Sequence, residues 1–439
     1  MSDVLLLVDV SENFRKTCLE YYKLDPCHYY TAPGLAWDAC LKMTNINLEL
    51  IFEGDIDKYL FIEKGLRGGV SIITHRKATA NNKNMKSYDD KKSSKHIAYL
   101  DANFLYGWAM SQNLPYGGFN WIEPEDFKLE NVRNNSKKGH ILEVDLEYPK
   151  ELHDLHNEYP YCAEQIVVKS EMLSEYSKTV GYKHGVKCGD TTKLIPTLYN
   201  KEKYIIHERN LKQAIDAGLI LKKIHRVLEF KQKPWMKKYI DFNTEKRKIA
   251  KNDFEKNFFK LMNNSVFGKT MENVRKRMNV KLICDKNKFE KYVSKPTFIN
   301  GVIFNENLVG VHNKQEKIKL CKPIYVGFSI LDISKTLMYD FHYGFIKNKY
   351  EDKAKLLFTD TDSLCYEIQT KNIYKDMYDN KEMFDLSDVL GEFNDNTNKK
   401  VIGKFKPEYA NNIIGEFIGL RSKMYSIKLD DGEEEKKAK

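Results

Sequence analysis

The chain has 439 residues, with 72 Lys and Arg against 62 Asp and Glu, for a net charge of +10. At 42% hydrophobic and 12% aromatic residues it reads as a globular protein with room for two or three lobes, which excludes a disordered chain. The basic residues run along its whole length and suit a nucleic-acid partner; no apolar run approaches a membrane span and no secretory signal is visible, while eight scattered cysteines without a CxxC pair argue against zinc and against a disulfide framework.

In chain order, Ser2 to Tyr30 predicts helix, with Leu5, Leu6, Val8 and Phe14 at apolar positions. Lys83 to Lys95 is a polar, lysine-rich loop. Ile97 to Leu100 predicts a strand running into Asp101, and Ile141 to Leu146 a second strand. Tyr204 to Gly218 predicts helix and Leu219 to Phe230 strand. Tyr239 to Phe267 is the longest helical stretch, read as two helices, with Gly268 placed to end it. Lys322 to Tyr350 predicts mainly helix. Val401 to Leu429 alternates like strands, and the charged tail from Glu433 to Lys439 carries no element. Beyond these elements, the stretches Trp121 to Phe230 and Val280 to Lys319 are too weakly patterned to read further. The mixture is α+β, without a regular βαβ alternation.

One short run stands out: Leu-Leu-Phe-Thr-Asp-Thr-Asp-Ser-Leu-Cys-Tyr, from Leu356 to Tyr366. Apolar flanks around a polar centre predict a hairpin with Asp360 and Asp362 at its tip. Paired acids there suit a hard divalent cation, or form an ordinary solvated turn. Asp101, at a strand end in Tyr99-Leu100-Asp101-Ala102-Asn103-Phe104-Leu105-Tyr106-Gly107, can meet that tip, or can cap a helix over Asn103 to Met110. Three acids from two strands could hold two ions about 4 Å apart. Further on, Lys260, Asn264 and Phe267 fall on one arc of a helix, and Lys256 and Lys248 extend the face upstream. A column of ammonium groups suits a triphosphate, although helical lysines also make solvated faces.

The three segments, in this order, resemble motifs A, B and C of family B DNA polymerases, with patterns DxxSLYP, KxxxNSxYG and YxDTDS. Here they stand as Asp101…Leu105-Tyr106, Lys260…Asn264-Ser265…Phe267-Gly268 and Phe358-Thr359-Asp360-Thr361-Asp362-Ser363. Lys423-Met424-Tyr425 matches a fourth element, KxY. Asp241-Phe242-Asn243-Thr244 and Gly65-Leu66-Arg67-Gly68-Gly69 resemble the organellar, viral and transposon-borne branch, which is similar to protein-primed polymerases. Phe104 stands where the pattern has Ser, Gly107 where it has Pro, and Phe267 and Phe358 where it has Tyr.

The resemblance implies a right-hand architecture, with a palm of antiparallel sheet plus helices and helical fingers. It implies an exonuclease end and linker over residues 1–75, palm over 76–235 and 271–432, fingers over 236–270, and a charged tail over 433–439. Asp3 resembles the last acid of an exonuclease motif whose other members would precede Met1, so an exonuclease domain, proofreading and most of a thumb are expected to be missing. The implied reaction is template-directed addition of dNTPs to a primer 3′-hydroxyl in replication of a viral or transposable element, with two Mg²⁺ ions for which Mn²⁺ can substitute. Asp101, Asp362 and the carbonyl of Ala102 would hold metal, with Asp360 a supporting acid. Tyr106 would exclude a 2′-hydroxyl. Leu105, Lys260, Asn264, Lys256 and Lys248 would serve the nucleotide. Lys423 and Tyr425 would hold the primer, and Arg67, Gly68, Gly69, Ser265 and Gly268 would approach DNA. The implied partners are primer-template DNA, dNTPs and a terminal protein primer, with no membrane and no stable oligomer, in the nucleus or cytoplasm of a host cell. Three alternatives stand beside this: a catalytically silent DNA-binding remnant, a metal-dependent nuclease, and a reverse transcriptase. The Asp-Thr-Asp turn, lacking adjacent acids, speaks against the last.

Overall fold

A computed structural model describes residues 2–51, 55–186 and 188–438. Its centre is built by the apolar flanks of the Asp-Thr-Asp turn. Leu356, Leu357 and Phe358 lead into the turn, Leu364, Cys365 and Tyr366 lead out, and all six are buried. Strands Ala354–Asp360 and Ser363–Gln369 pair antiparallel, and the second also pairs with Lys95–Ala102. The register sets Ser363 opposite Asp101, which brings Asp362 beside the end of the strand that carries Asp101. Among the described residues this main sheet has nine strands. It extends through Ser71–Ile73 on one side and through Ile414–Arg421, Met424–Leu429 and Glu434–Ala438 on the other. A strand buried on both faces reads as a continuous apolar run, which is what Leu356 to Phe358 does.

Helix Ile324–Tyr339 is apolar nearly all round and buried along nearly its whole length. Its buried Ser and Thr hydroxyls are satisfied locally, as when Ser329 donates to the Tyr325 carbonyl and Thr336 to that of Ile333, while Tyr325 and Tyr339 donate to the distant carbonyls of Glu49 and Pro160. Beyond it, Leu114–Ile122, Ile220–Lys233, Lys138–Glu147 and Lys201–His207 form a four-stranded sheet in that spatial order. Three further strands, Asn279–Ile283, Phe298–Asn305 and Leu308–Asn313, make a small separate sheet. Helices Lys237–Lys248 and Asp253–Thr270 pack on each other and on Ala32–Thr44. A buried polar chain pins them: Tyr22 donates to Asn243 at 2.5 Å, and Asn243 donates to Asn263 at 2.9 Å. No described helix is long and apolar enough to cross a membrane.

Five expectations change. The helix expected over Ser2 to Tyr30 ends at Tyr22. Tyr204 to His207 is strand, because Tyr-Ile-Ile-His pairs with Val144 to Ile141 between buried layers; the helix starts only at Glu208. Gly268 does not end its helix. It lies inside the last turn without positive φ, and the helix runs to Thr270. The charged tail does form an element, Glu434–Ala438, where Glu434 sits across from Lys428. Leu5, Leu6 and Val8 lie in a helix but are exposed, whereas Cys18 and Tyr22 further along it are buried.

Candidate active site

A cleft of about 890 Å³ lies between the main sheet and the helix pair. Asp101 and Asp362 share its floor, and Lys256, Lys260, Asn264 and Arg247 stand on its helical wall. The Ala102 N–H donates to the Asp362 carbonyl at 2.7 Å, which ties the two acidic strand ends together. Burial, then the neighbouring Asp362 and Glu408, push the Asp101 carboxyl up to about 8. Burial raises Asp362 as well. Two half-buried carboxylates held together oppose each other's ionisation unless a cation joins them. A hard divalent cation therefore fits this donor set. Asp101 does not cap a helix; Phe104 occupies that position.

Asp360 does not join the pair. It does not line the cleft, and its carboxylate is ion-paired with Lys423. Among the described residues no group of three or more His, Cys, Asp or Glu side chains surrounds one point. The expected trio is a pair plus a neutralised neighbour. Strand alternation alone would put residues two apart on one face; here the strand ends at Asp360, and Thr361, with φ +64°, turns the chain before Asp362.

Gly69 is required for a different reason from the one read in the sequence. A Cβ there would overlap the Thr361 side chain, and Thr361 donates its N–H to the Val70 carbonyl at 2.8 Å. The glycine turn is thus clamped on the hairpin tip. Thr361 itself has φ +64°, unusual for a β-branched residue. Gly69→Ala should destabilise the chain by about 1–3 kcal/mol, and Thr361→Gly in the same chain should restore it. Urea midpoints of the two variants check this; no recovery in the double variant would mean that Thr361 is not what Gly69 accommodates. Gly68 meets nothing within 4 Å and keeps its face open. The Arg67 guanidinium turns inward instead: it donates to the Ile205 carbonyl at 2.7 Å and lies over the Tyr204 ring at 3.8 Å.

Phe104 and Gly107, both departures from motif A, turn out to be coupled. A Cβ on Gly107 would fall within the Phe104 ring, so the ring packs on a bare backbone. Phe104 adopts φ +47° ahead of the short helix Leu105–Met110. That helix presents Tyr106 to the cleft, packed on Phe267 with centroids 4.5 Å apart and the rings tilted by 31°. Leu105 also lines the cleft, while Ala102 is fully buried and does not.

On the helical wall Lys260, Asn264, Phe267 and Lys256 come together as the helical period predicts. Lys248 does not. The chain breaks between the two helices and restarts at the Asn252 cap, whose side chain accepts from Glu255 N–H at 2.9 Å. Lys248 is left paired with Glu245, and Arg247 takes the cleft position. Ser265 is buried and lies off the cleft, and Gly268 is exposed beyond it. Tyr425 is 6% exposed, stacked on Phe358 at 4.5 Å, with its hydroxyl 3.3 Å from that of Tyr99. Its ring belongs to the core, so stacking on a primer is not open to it. Sequence reasoning missed Asn103, Arg247, Asp385, Lys400 and Lys406, all of which line the cleft.

Solved structures with the same architecture include those of Phi29 DNA polymerase. The orthorhombic crystal form aligns with TM-score 0.54 and 16% identity over 94% of this chain and 60% of that one. The complex with primer-template DNA aligns with TM-score 0.50 and 17% identity over 92% and 55%. The ternary complex with primer-template DNA and incoming nucleotide substrates aligns with TM-score 0.51 and 15% identity over 92% and 56%. The chain thus spans 55–60% of the length of these structures. The α+β right-hand polymerase fold implied by the motifs is the one found. No curated protein matches the chain by sequence. The family described as DNA polymerase type B, organellar and viral, matches residues 1–348, and the chain belongs to that family.

Proposed function

We propose that this chain is a template-directed DNA polymerase core that adds dNTPs to a primer 3′-hydroxyl and releases pyrophosphate. The observation that carries the reading is the pairing of Asp101 and Asp362 on the floor of a cleft whose facing wall is cationic. Asp101 and Asp362 would hold Mg²⁺, or Mn²⁺ in its place; Ala102, fully buried and off the cleft, is left out of the donor set. Bound there, the ions supply positive charge at the attacking hydroxyl and the leaving pyrophosphate. Lys260, Lys256 and Arg247 bind and orient the triphosphate as fixed charges. Asn264, exposed on the same helix face, faces the nucleotide. Tyr106, braced by Phe267, excludes a sugar 2′-hydroxyl. Lys423 positions the metal-binding hairpin through Asp360, and the open Gly68 turn admits the template backbone. The main sheet then serves as palm and the helix pair 237–270 as fingers.

Primer extension tests the reading. The purified chain, given a primed template, dNTPs and Mg²⁺, should extend the primer to the template end. If it binds the primer-template but extends nothing with Mg²⁺ or Mn²⁺, it is a silent DNA-binding protein and the proposal is wrong. The same assay with a candidate terminal protein in place of the primer tests protein priming, through formation of a nucleotide-labelled protein.

A further inference from the structure

The wall of the cleft opposite the helices is made by the chain between Tyr378 and Pro407, and it carries Asp385, Asp388, Lys400 and Lys406. Lys406 is ion-paired with Asp388 at 2.5 Å. Lys400 has no ion-pair partner among the described residues. Nor has Lys260 or Arg247, and the Arg247 Nε is buried with no hydrogen-bond acceptor. Burial, then Lys256 and Arg247, lower the Lys400 pKa, so its ammonium lies within reach of cations that belong to the opposite wall. Cations that converge without ion-pair partners of their own, as Lys400, Lys260 and Arg247 do, repel one another and are relieved by a polyanion.

The backbone at Lys400 is specially held. Its φ is +56°, a left-handed conformation that is unfavourable for a residue with a Cβ. Asp385, 1% exposed, accepts from the Lys400 N–H at 2.8 Å and from the Asn103 amide at 2.7 Å. Asn103 follows Asp101 by two residues, and its N–H and carbonyl are also bonded to Lys404 and Gly403. One buried carboxylate therefore fixes Lys400 to the turn that carries the floor acid. Strain maintained in this way is a mark of a positioned functional group.

We infer that Lys400 is a triphosphate-binding residue of this cleft, set by Asp385 opposite Lys256 and Arg247 so that an incoming triphosphate is held from both walls. The inference rests on reading the cleft as the nucleotide site. It goes further in assigning a ligand from outside the matched motifs and in predicting that the anion, not the base or sugar, is what Lys400 recognises.

Two assays separate this inference from that reading. Primer extension by the unmodified chain tests the polymerase reading alone. Calorimetric binding of inorganic tripolyphosphate, without DNA or metal, tests Lys400. Lys400→Ala should weaken tripolyphosphate binding about ten- to a hundredfold, and Lys400→Arg should restore most of it. Where extension is measurable, Lys400→Ala should raise the KM for dNTP by a similar factor with little change in kcat. Lys400→Gly distinguishes binding from structure, because glycine adopts positive φ freely. It should lose affinity like the alanine variant while its Tm holds or rises. Tripolyphosphate affinity within twofold of the unmodified chain in Lys400→Ala and Lys400→Gly overturns the inference. So does an unmodified chain that binds no tripolyphosphate, whatever its extension activity.

Discussion

Asp362→Ala and Asp101→Ala should each reduce primer extension by on the order of 10³- to 10⁴-fold, without loss of folding. The effect is large because the cleft floor offers two carboxylates, while Asp388 and Asp385 on the opposite wall are engaged by Lys406 and by Lys400 and Asn103. Asp360, the nearest candidate, is neutralised by Lys423 and does not line the cleft. Asp360→Ala should therefore cost markedly less activity than either floor acid. Stability should move the other way. Asp101 is pushed up to about 8 mainly by burial and by Asp362, so the pair opposes its own charging when no cation joins it. Asp101→Asn or Asp362→Asn removes that opposition while keeping shape. In chelator, the Tm of either variant should hold or rise as activity disappears, the usual trade at a strained site. Activity surviving Asp362→Ala would remove the metal assignment. A sharp fall in Tm for both asparagine variants in chelator would show that the pair is structural.

Much of this site was legible because its signals are local. The hairpin could be read because unbroken apolar runs flank two acids, and those runs are the buried central strands. The arc of Lys256, Lys260, Asn264 and Phe267 followed from the helical period alone. The same argument failed one turn further back. The break at residues 249–252 shifts the phase between the two helices, so Lys248 faces its own Glu245 and Arg247 faces the cleft. The Asn252 and Glu255 spacing that restarts the helix was a readable capping signal. Tyr425 was also decidable: Met424, Tyr425, Ser426 and Ile427 alternate, and the side that holds Ile427 is the core. Asp385 and Lys400 were not legible. Asp385 reaches Asn103 across 282 residues, and nothing near either one in the chain announces the contact. Gly69 and Gly107 were noticed, but their reasons are tertiary. One makes room for Thr361 and the other for Phe104.

Tyr106→Val should let the chain accept ribonucleotides, lowering its preference for dNTP over rNTP by about 10- to 200-fold in kcat/KM. The ring is placed by three features that all survive the departures in motif A. The short helix Leu105–Met110 points it into the cleft, Phe267 supports its face at 4.5 Å, and the Phe104 ring seated on Gly107 fixes the helix start. Burial, then Asp362, push its hydroxyl up to about 12, so the phenol stays neutral beside an anionic substrate. Exclusion of a 2′-hydroxyl would then come from the bulk of the ring and not from charge, a repulsive device in place of an added attraction. Tyr106→Phe keeps that bulk and should keep the preference. Phe267→Leu removes the support while leaving the ring, and should give an intermediate loss. Competing incorporation of dNTP and rNTP opposite one template base measures all three. An unchanged ratio in Tyr106→Val, or a loss in Tyr106→Phe as large as in Tyr106→Val, would mean that the ring is not the barrier. In that case sugar selection would have to come from another residue of the cleft floor, with Phe104 the next to be changed.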